Sequence, residues 1–221
     1  CFVNSGRSAF GLILSSMMIQ GNDNIILMPD FFCLQSMIPL FENNKFDYAL
    51  YPTKSLDIDI DHIKNYLNEN VRAILFVNYF GLFNQNKVIN EINKMYPDII
   101  IILDSSMCPY HLLDGEISHN VDYEFASLMK ALPVVDGAIV KCKPPNSITL
   151  SQINEGNHDS ITSSLIGSLL INTASYLPNL PEDQERLSSV FFDQRDLILS
   201  IDMKPYQMCE FSLKLLSLMD I

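Results

Sequence analysis

The stretch VRAILFVNYFGLFNQNKVINEINKMYPDIIIILDSS, residues 71–106, decides the fold class. It begins with the apolar run Val71–Val77 and continues through Gln85–Met95, in which apolar residues recur at helical spacing. It then reaches Ile99–Leu103, a run of four isoleucines and one leucine. Apolar runs separated by a helix are typical of buried parallel strands joined by a crossover. The stretch therefore predicts a strand, a helix and a second strand of one sheet.

The same alternation extends over residues 1–143. Further helices are predicted at Ala9–Gln20, Phe31–Phe41 and Asp59–Leu67. Further strands are predicted at Asn24–Met28, Phe46–Tyr51, Tyr123–Ser127 and Ala138–Lys141. Because helices that alternate with strands cover both faces of a sheet, we expect an α/β fold. Its three layers, α/β/α, would enclose a mostly parallel mixed sheet.

The pattern changes at Pro144–Ser147, where two prolines interrupt regular structure. Strands no longer alternate with helices beyond this point. Helical spacing recurs at Thr162–Tyr176, Glu182–Leu199 and Tyr206–Met219. The chain opens on Cys1 close to a motif and stops directly after a helical pattern, so we expect it to be a piece of a longer protein.

Composition argues against several classes of function. The 221 residues carry a formal net charge of -12, and so acidic a chain lacks the basic footprint that nucleic acid and anionic membranes require. The longest apolar runs are too short to span a bilayer. The five cysteines form no C-x-x-C pair, which argues against a disulfide framework and favours a reducing cytoplasm. Since the four histidines are scattered, no metal site is expected.

Asp104 and Lys130 are the side chains best suited to chemistry. Ligands of open α/β sheets bind at the carboxyl edge, and Asp104 directly follows the predicted strand Ile99–Leu103. Lys130 is the only charged residue between Glu124 and Asp136. A lysine buried in so apolar a stretch would be desolvated, which lowers the pKa of an amine and favours its use as a nucleophile. The alternatives are a turn aspartate and a lysine that snorkels to solvent.

A third motif, NSGRS at Asn4–Ser8, stands directly before a predicted helix. Free N–H groups at a helix start bind phosphate, and glycine allows close approach of the anion to the backbone. The alternative is ordinary N-capping by Ser5. The three motifs together predict a phosphate cradle, an acid and a lysine, in that order along the chain.

This order resembles that of fold-type I enzymes that use pyridoxal 5'-phosphate (PLP). More narrowly, it resembles the DegT/DnrJ/EryC1/StrS family of sugar aminotransferases. The matching stretches are NSGRSAF at 4–10, ILMPDFFC at 26–33, NYFG at 78–81, IIILDSS at 100–106 and ASLMKALPVVDGAIV at 126–140. The resemblance implies the large domain of a PLP-dependent transferase.

The resemblance also assigns roles by position. Lys130 would form the Schiff base with PLP, and Asp104 would keep the ring nitrogen protonated. Gly6, Arg7 and Ser127 would contact the phosphate.

Cys33 falls where the family places a residue that packs on the cofactor ring, commonly an aromatic one. The chain departs from the family pattern at Met107, where the family has glutamine, and at Arg7, where a small residue or threonine is usual.

The resemblance divides the chain into three parts. Residues 1–143 would form the PLP-binding core, 144–200 a helical remainder of the large domain, and 201–221 the truncated start of a C-terminal small domain. The implied activity is transfer of an amino group, with glutamate as donor, to a nucleotide-linked keto-sugar, by a homodimer with shared active sites. The alternatives are another fold-type I activity and an inactive, truncated homologue that serves as a binding or regulatory module.

Overall fold

A computed structural model describes residues 1–17, 24–54, 56, 58–82, 85–154 and 205–219. Its centre is a seven-stranded sheet with the order β1-β7-β6-β5-β4-β2-β3. The strands are β1 (Phe2–Val3), β2 (Ile25–Pro29), β3 (Asp47–Tyr51), β4 (Val71–Val77), β5 (Ile100–Asp104), β6 (Tyr123–Ser127) and β7 (Ala138–Cys142).

The described helices are mostly short. They are α1 (Gly6–Ser16), α2 (Ile38–Asn44), α3 (Ile60–Lys64), α4 (Asn86–Met95), α5 (Tyr110–Leu113) and α6 (Glu210–Leu218). Short 3-10 turns lie at Leu34–Ser36, Leu128–Lys130 and Leu150–Gln152. The predicted stretches Thr162–Tyr176 and Glu182–Leu199 lie outside the described residues. Among the helices described here, none has the length and apolar character needed to cross a membrane.

The predicted mixed sheet is confirmed. The strands β3, β2, β4, β5 and β6 run parallel, whereas β7 is antiparallel to both β6 and β1. Since parallel strands end at the same edge of a sheet, the carboxyl ends of these five strands form one rim. Asp104 ends β5 and Ser127 ends β6, so both lie on this rim.

Helices cover both faces of the sheet, which confirms the three layers. One face packs on α1 and α2, where the rings of Phe41 and Phe125 lie 5.7 and 5.6 Å from that of Phe10. The other face packs on α3 and α4 through Ile63, Ile89 and others. Alternate residues of each strand point to opposite faces, so strands buried on both faces contain the apolar runs seen in the sequence.

The helix predicted at Phe31–Phe41 is wrong in its bounds. A 3-10 turn occupies Leu34–Ser36 and α2 begins only at Ile38. Pro39 lies in the first turn of α2, where its missing N–H costs no intrahelical hydrogen bond. The short elements β1 and α5 were not predicted, because two and four residues are too few to show a period.

The segment before α6 packs back on the sheet. The N–H of Asn4 donates to the carbonyl of Tyr206 at 2.9 Å, and the N–H of Cys209 donates to Asp136 at 3.0 Å. Met208 is buried in a cluster with Leu128 and Ile139. The described end of the chain therefore contacts both the start of α1 and the loop before β7.

Candidate active site

Lys130 lies at the rim of the sheet, in the turn that follows β6. Both Lys130 and Met129 are exposed, which agrees with the alternative of a lysine whose amine reaches solvent. The apolar residue of this turn that packs into the core is Leu128. It is fully buried, and its N–H donates to the carbonyl of Gly137 at 2.9 Å. Leu128 therefore anchors the turn and leaves the lysine amine accessible to a ligand.

Asp104 lies at the end of the neighbouring strand β5 and is only 5% exposed. Its Oδ1 atom accepts the N–H of Ser106 at 2.8 Å. Burial raises the pKa of Asp104, and hydrogen bonds from Ser106 and the positive charge of Lys130 oppose this shift. Asp104 and Lys130 are thus close enough for their charges to interact.

Ser106 connects Asp104 to the strand that leads to Lys130. Its hydroxyl accepts the N–H of Ser127 at 2.9 Å. The start of α1 approaches the same place, because a Cβ atom at Gly6 would lie 3.1 Å from that of Ser127. Only a small residue at position 6 therefore allows this close approach.

The start of α1 presents the N–H groups of its first turn. Ser5 caps the helix by accepting the N–H of Ser8 at 3.2 Å, so the alternative reading of Ser5 as an N-cap is confirmed. Gly6 and Arg7 follow this cap, so their N–H groups belong to the first turn of α1. Arg7 is half-buried, which lowers the pKa of its guanidinium, while the nearby Cys33 opposes this shift.

Cys33 is exposed and lies near Tyr79 as well as Arg7. The Tyr79 hydroxyl donates to the carbonyl of Phe31 at 2.6 Å. Burial of the Tyr79 hydroxyl, and then the carboxylates of Asp30 and Asp104, raise its pKa. Tyr79 and Phe31, with ring centroids 5.8 Å apart, therefore form a wall beside Asp104.

Sequence reasoning missed part of this arrangement. Tyr79–Gly81 ends a strand and could shape the cleft, but core packing was the default interpretation, and no role was assigned to Ser106. The turn-forming sequence Asp-Ser-Ser at 104–106 was the available signal for Ser106, since such serines bond to nearby backbone groups. The stretch NYFG at 78–81 matched the family pattern, but it could not show the contact of Tyr79 with Phe31, which comes from a distant segment.

The donor set fits a phosphorylated pyridine aldehyde such as PLP. An accessible lysine amine, a buried carboxylate and a helix start with a glycine meet at one rim of the sheet. These groups match an aldehyde carbon, a protonated ring nitrogen and a phosphate, respectively.

Known proteins similar to this chain were found by sequence profile and by structure. The sequence profile of the DegT/DnrJ/EryC1/StrS aminotransferase family matches residues 1–116. No curated protein sequence matches the chain.

Solved structures share the fold at low sequence identity. PseC from Helicobacter pylori, an aminotransferase involved in the biosynthesis of pseudoaminic acid, is 19% identical over 63% of this chain and 38% of its own, with a TM-score of 0.51. TlmJ, an aminotransferase from Streptoalloteichus hindustanus, is 15% identical over 65% and 40%, with a TM-score of 0.54. NtdA from Bacillus subtilis, solved with bound cofactor PMP, is 17% identical over 64% and 32%, with a TM-score of 0.51. The chain thus spans 32–40% of the length of these structures.

Proposed function

Since the chain belongs to the DegT/DnrJ/EryC1/StrS aminotransferase family, we propose that it is the cofactor-binding part of a PLP-dependent aminotransferase. One observation carries this proposal. Lys130, Asp104 and the start of α1 come from three distant parts of the sequence and lie together at the carboxyl rim of one sheet. Family membership alone would not require that all three groups be present.

Each group has a role that its surroundings support. When bound, PLP supplies an aldehyde that accepts an amino group and a ring that takes up electrons from the bond that breaks. The Lys130 amine would hold the cofactor and, once displaced, move a proton from the substrate carbon as a base and return it as an acid. The Asp104 carboxylate would accept a hydrogen bond from the ring nitrogen and hold its proton there.

The phosphate would lie at the start of α1. The N–H groups of Gly6 and Arg7 belong to the first turn, where the helix dipole favours an anion. Ser127 lies against Gly6, so its hydroxyl is near the same anion. Cys33 and Tyr79 would border the ring, since both lie close to Arg7 or Asp104.

We further propose a nucleotide-linked keto-sugar as the amino acceptor and glutamate as the donor, in the biosynthesis of cell-surface polysaccharide or a related sugar. The family and the relation to PseC support a sugar substrate. The five cysteines are all free thiols, which supports a location in the cytoplasm.

Covalent labelling tests the proposal. Full-length protein purified with PLP should be yellow, and borohydride reduction followed by peptide mapping should mark Lys130, because reduction makes the lysine–cofactor bond permanent. Lys130→Ala should abolish the mark and turnover. Lys94→Ala, which removes an exposed lysine on α4, should leave both unchanged.

The outcomes separate the possible assignments. A mark on another lysine rejects Lys130 as the attachment site. A folded protein that takes up no PLP rejects the proposed cofactor and leaves a non-catalytic binding module as the function.

A further inference from the structure

The strand β6 contains a carboxylate, Glu124, with 0% exposure. Tyr123 and Phe125 belong to the cluster on the α1 face, whereas Ala126 belongs to the cluster on the opposite face. Because strand residues alternate, Glu124 points to the face opposite α1. A carboxylate so deeply buried is costly unless hydrogen bonds compensate it.

Glu124 is bonded by three residues of the segment between β5 and β6. Its Oε1 atom accepts the Ser105 hydroxyl at 2.5 Å and the Ser118 hydroxyl at 3.1 Å, and lies 2.7 Å from Nε2 of His111. Its Oε2 atom accepts the N–H of Ser118 at 2.7 Å. We call these four residues the Glu124 clamp. One carboxylate therefore holds the beginning, middle and end of the segment that follows Asp104.

The clamp reaches Asp104 through Ser105, the next residue in the chain. The Ser105 N–H donates to the carbonyl of Phe125 at 2.8 Å, so both its backbone and its side chain are bonded to β6. Ser106 bonds to Asp104 and to Ser127. The two residues after Asp104 are thus held by β6, Ser105 through Glu124 and Ser106 through the end of the strand.

We propose that Glu124 is a positioning residue that orients Asp104 toward the ring nitrogen of bound PLP. The inference rests on the proposed function. Glu124 acts through Ser105, because it lies on the face of the sheet away from α1 and the phosphate cradle. A bond to a charged group depends steeply on direction, so a small rotation of Asp104 weakens its contact with the cofactor.

The test is a comparison of PLP dissociation constants for the full-length protein, measured by absorbance titration. Glu124→Gln keeps the side-chain volume but removes the charge, and PLP affinity should fall by about tenfold, which corresponds to about 1.4 kcal/mol. The loss follows from weaker hydrogen bonds to the clamp and therefore a less well oriented Asp104. In the Asp104→Asn background, Glu124→Gln should alter PLP affinity by less than about twofold, because the carboxylate that Glu124 orients is already replaced by an amide. A loss of affinity that is equal in both backgrounds overturns the proposal.

A serine pair tests the same inference if Glu124→Gln fails to fold. Ser105→Ala and Ser118→Ala each remove one hydroxyl bonded to Oε1 of Glu124. Only Ser105 adjoins Asp104, so only Ser105→Ala should weaken PLP binding, although both variants should lower the free energy of unfolding. Equal PLP affinities of the two variants would show that the clamp is structural only. Absence of PLP binding by the wild-type protein would instead refute the proposed function.

Discussion

At the scale of single residues, Asp104 combines a cost in stability with a proposed role in chemistry. Burial raises the pKa of its carboxyl group above the ordinary value. Between the unfolded and the folded pKa, the folded protein then binds more protons than the unfolded chain. The stability of the cofactor-free protein should therefore fall as pH rises through this window.

Asp104→Asn should remove this dependence, because an amide of the same shape carries no charge to desolvate. The variant should gain stability relative to the wild type as pH rises from about 4, the ordinary pKa of an aspartate, to neutrality. Urea unfolding of the cofactor-free proteins across this range measures the difference. Asp98→Asn, which removes an exposed carboxylate, is the control. A difference that stays constant with pH contradicts the effect assigned to burial.

The same variant should be impaired once PLP is bound. Asp104→Asn should still bind PLP at saturating concentration, but kcat should fall by at least about a hundredfold, the usual cost of losing one preorganised electrostatic contact. Single-turnover kinetics of the reaction with glutamate measure this step directly. Activity equal to that of the wild type would mean that Asp104 is only a turn residue.

At the scale of elements, the segment before α6 joins the two loops that carry the proposed site. Asn4, which precedes α1, accepts the N–H of Gly137 through its carbonyl at 2.8 Å and donates to Tyr206. Gly137 has a φ of 127° and no side chain, and the Met208 side chain occupies the space beside it. The relative placement of the phosphate cradle and the lysine turn therefore depends on Gly137.

Gly137→Ala should be much more harmful than Gly115→Ala. Gly115 also has a positive φ, of 96°, but a Cβ atom there would meet nothing within 4 Å. Gly115→Ala should therefore lower the free energy of unfolding by about 1 kcal/mol, from backbone strain alone. At Gly137 a Cβ atom would lie 2.5 Å from Cε of Met208, which is buried. Because Met208 must then repack, Gly137→Ala should lower the free energy of unfolding by about 2–4 kcal/mol in total, as measured by urea unfolding.

Met208→Ala provides the check on this explanation. If the clash with Met208 causes the additional loss, Gly137→Ala should cost about as much as Gly115→Ala in the Met208→Ala background, since the two neighbours are coupled. If Gly137→Ala lowers the free energy of unfolding by the same amount in this background, the loss of stability comes from backbone strain and not from Met208.

At the scale of the whole molecule, five large apolar side chains are exposed in the segments that follow the parallel strands. Phe31 (59% exposed) follows β2, and Phe80 (59%) and Leu82 (74%) follow β4. Tyr110 (51%) follows β5, and Met129 (43%) follows β6. Grouped apolar surface of this kind marks an interface. We propose that a second copy of the chain covers this rim, in a two-fold homodimer with shared active sites.

Leu82→Asp should weaken the dimer, because a buried charge at an interface core is unfavourable. Static light scattering with PLP bound should give the mass of two chains for the wild type and a dissociation constant raised by at least about tenfold for the variant. Leu218→Asp, at a leucine that is 82% exposed on α6, is the matched control and should stay dimeric. A wild-type monomer mass that persists at high concentration contradicts the shared site.

Local patterns predicted most of the strands correctly. Val71–Val77 has the predicted bounds, Ala138–Cys142 is one residue longer at its end than predicted, and Ile100–Asp104 is shifted by one residue. Strands buried on both faces are apolar throughout, so their bounds are visible in composition. The sequence left burial and exposure of Lys130 as alternatives, because an apolar neighbourhood in sequence does not show which side chains turn outward where a strand ends.

The sequence by itself determined the types and order of the longer elements and pointed to Asp104 and Lys130, because periodicity and isolated charges are local properties of a chain. Only the tertiary structure decided the strand order, in which β1 and β7 pair with each other in antiparallel fashion at one side of the sheet. It also decided the contacts between the start of α1 and Ser127. The contacts of the Glu124 clamp could not be predicted from the sequence either. Its partners are separated along the chain, and a sequence records that a residue is polar or apolar without recording which distant group it meets.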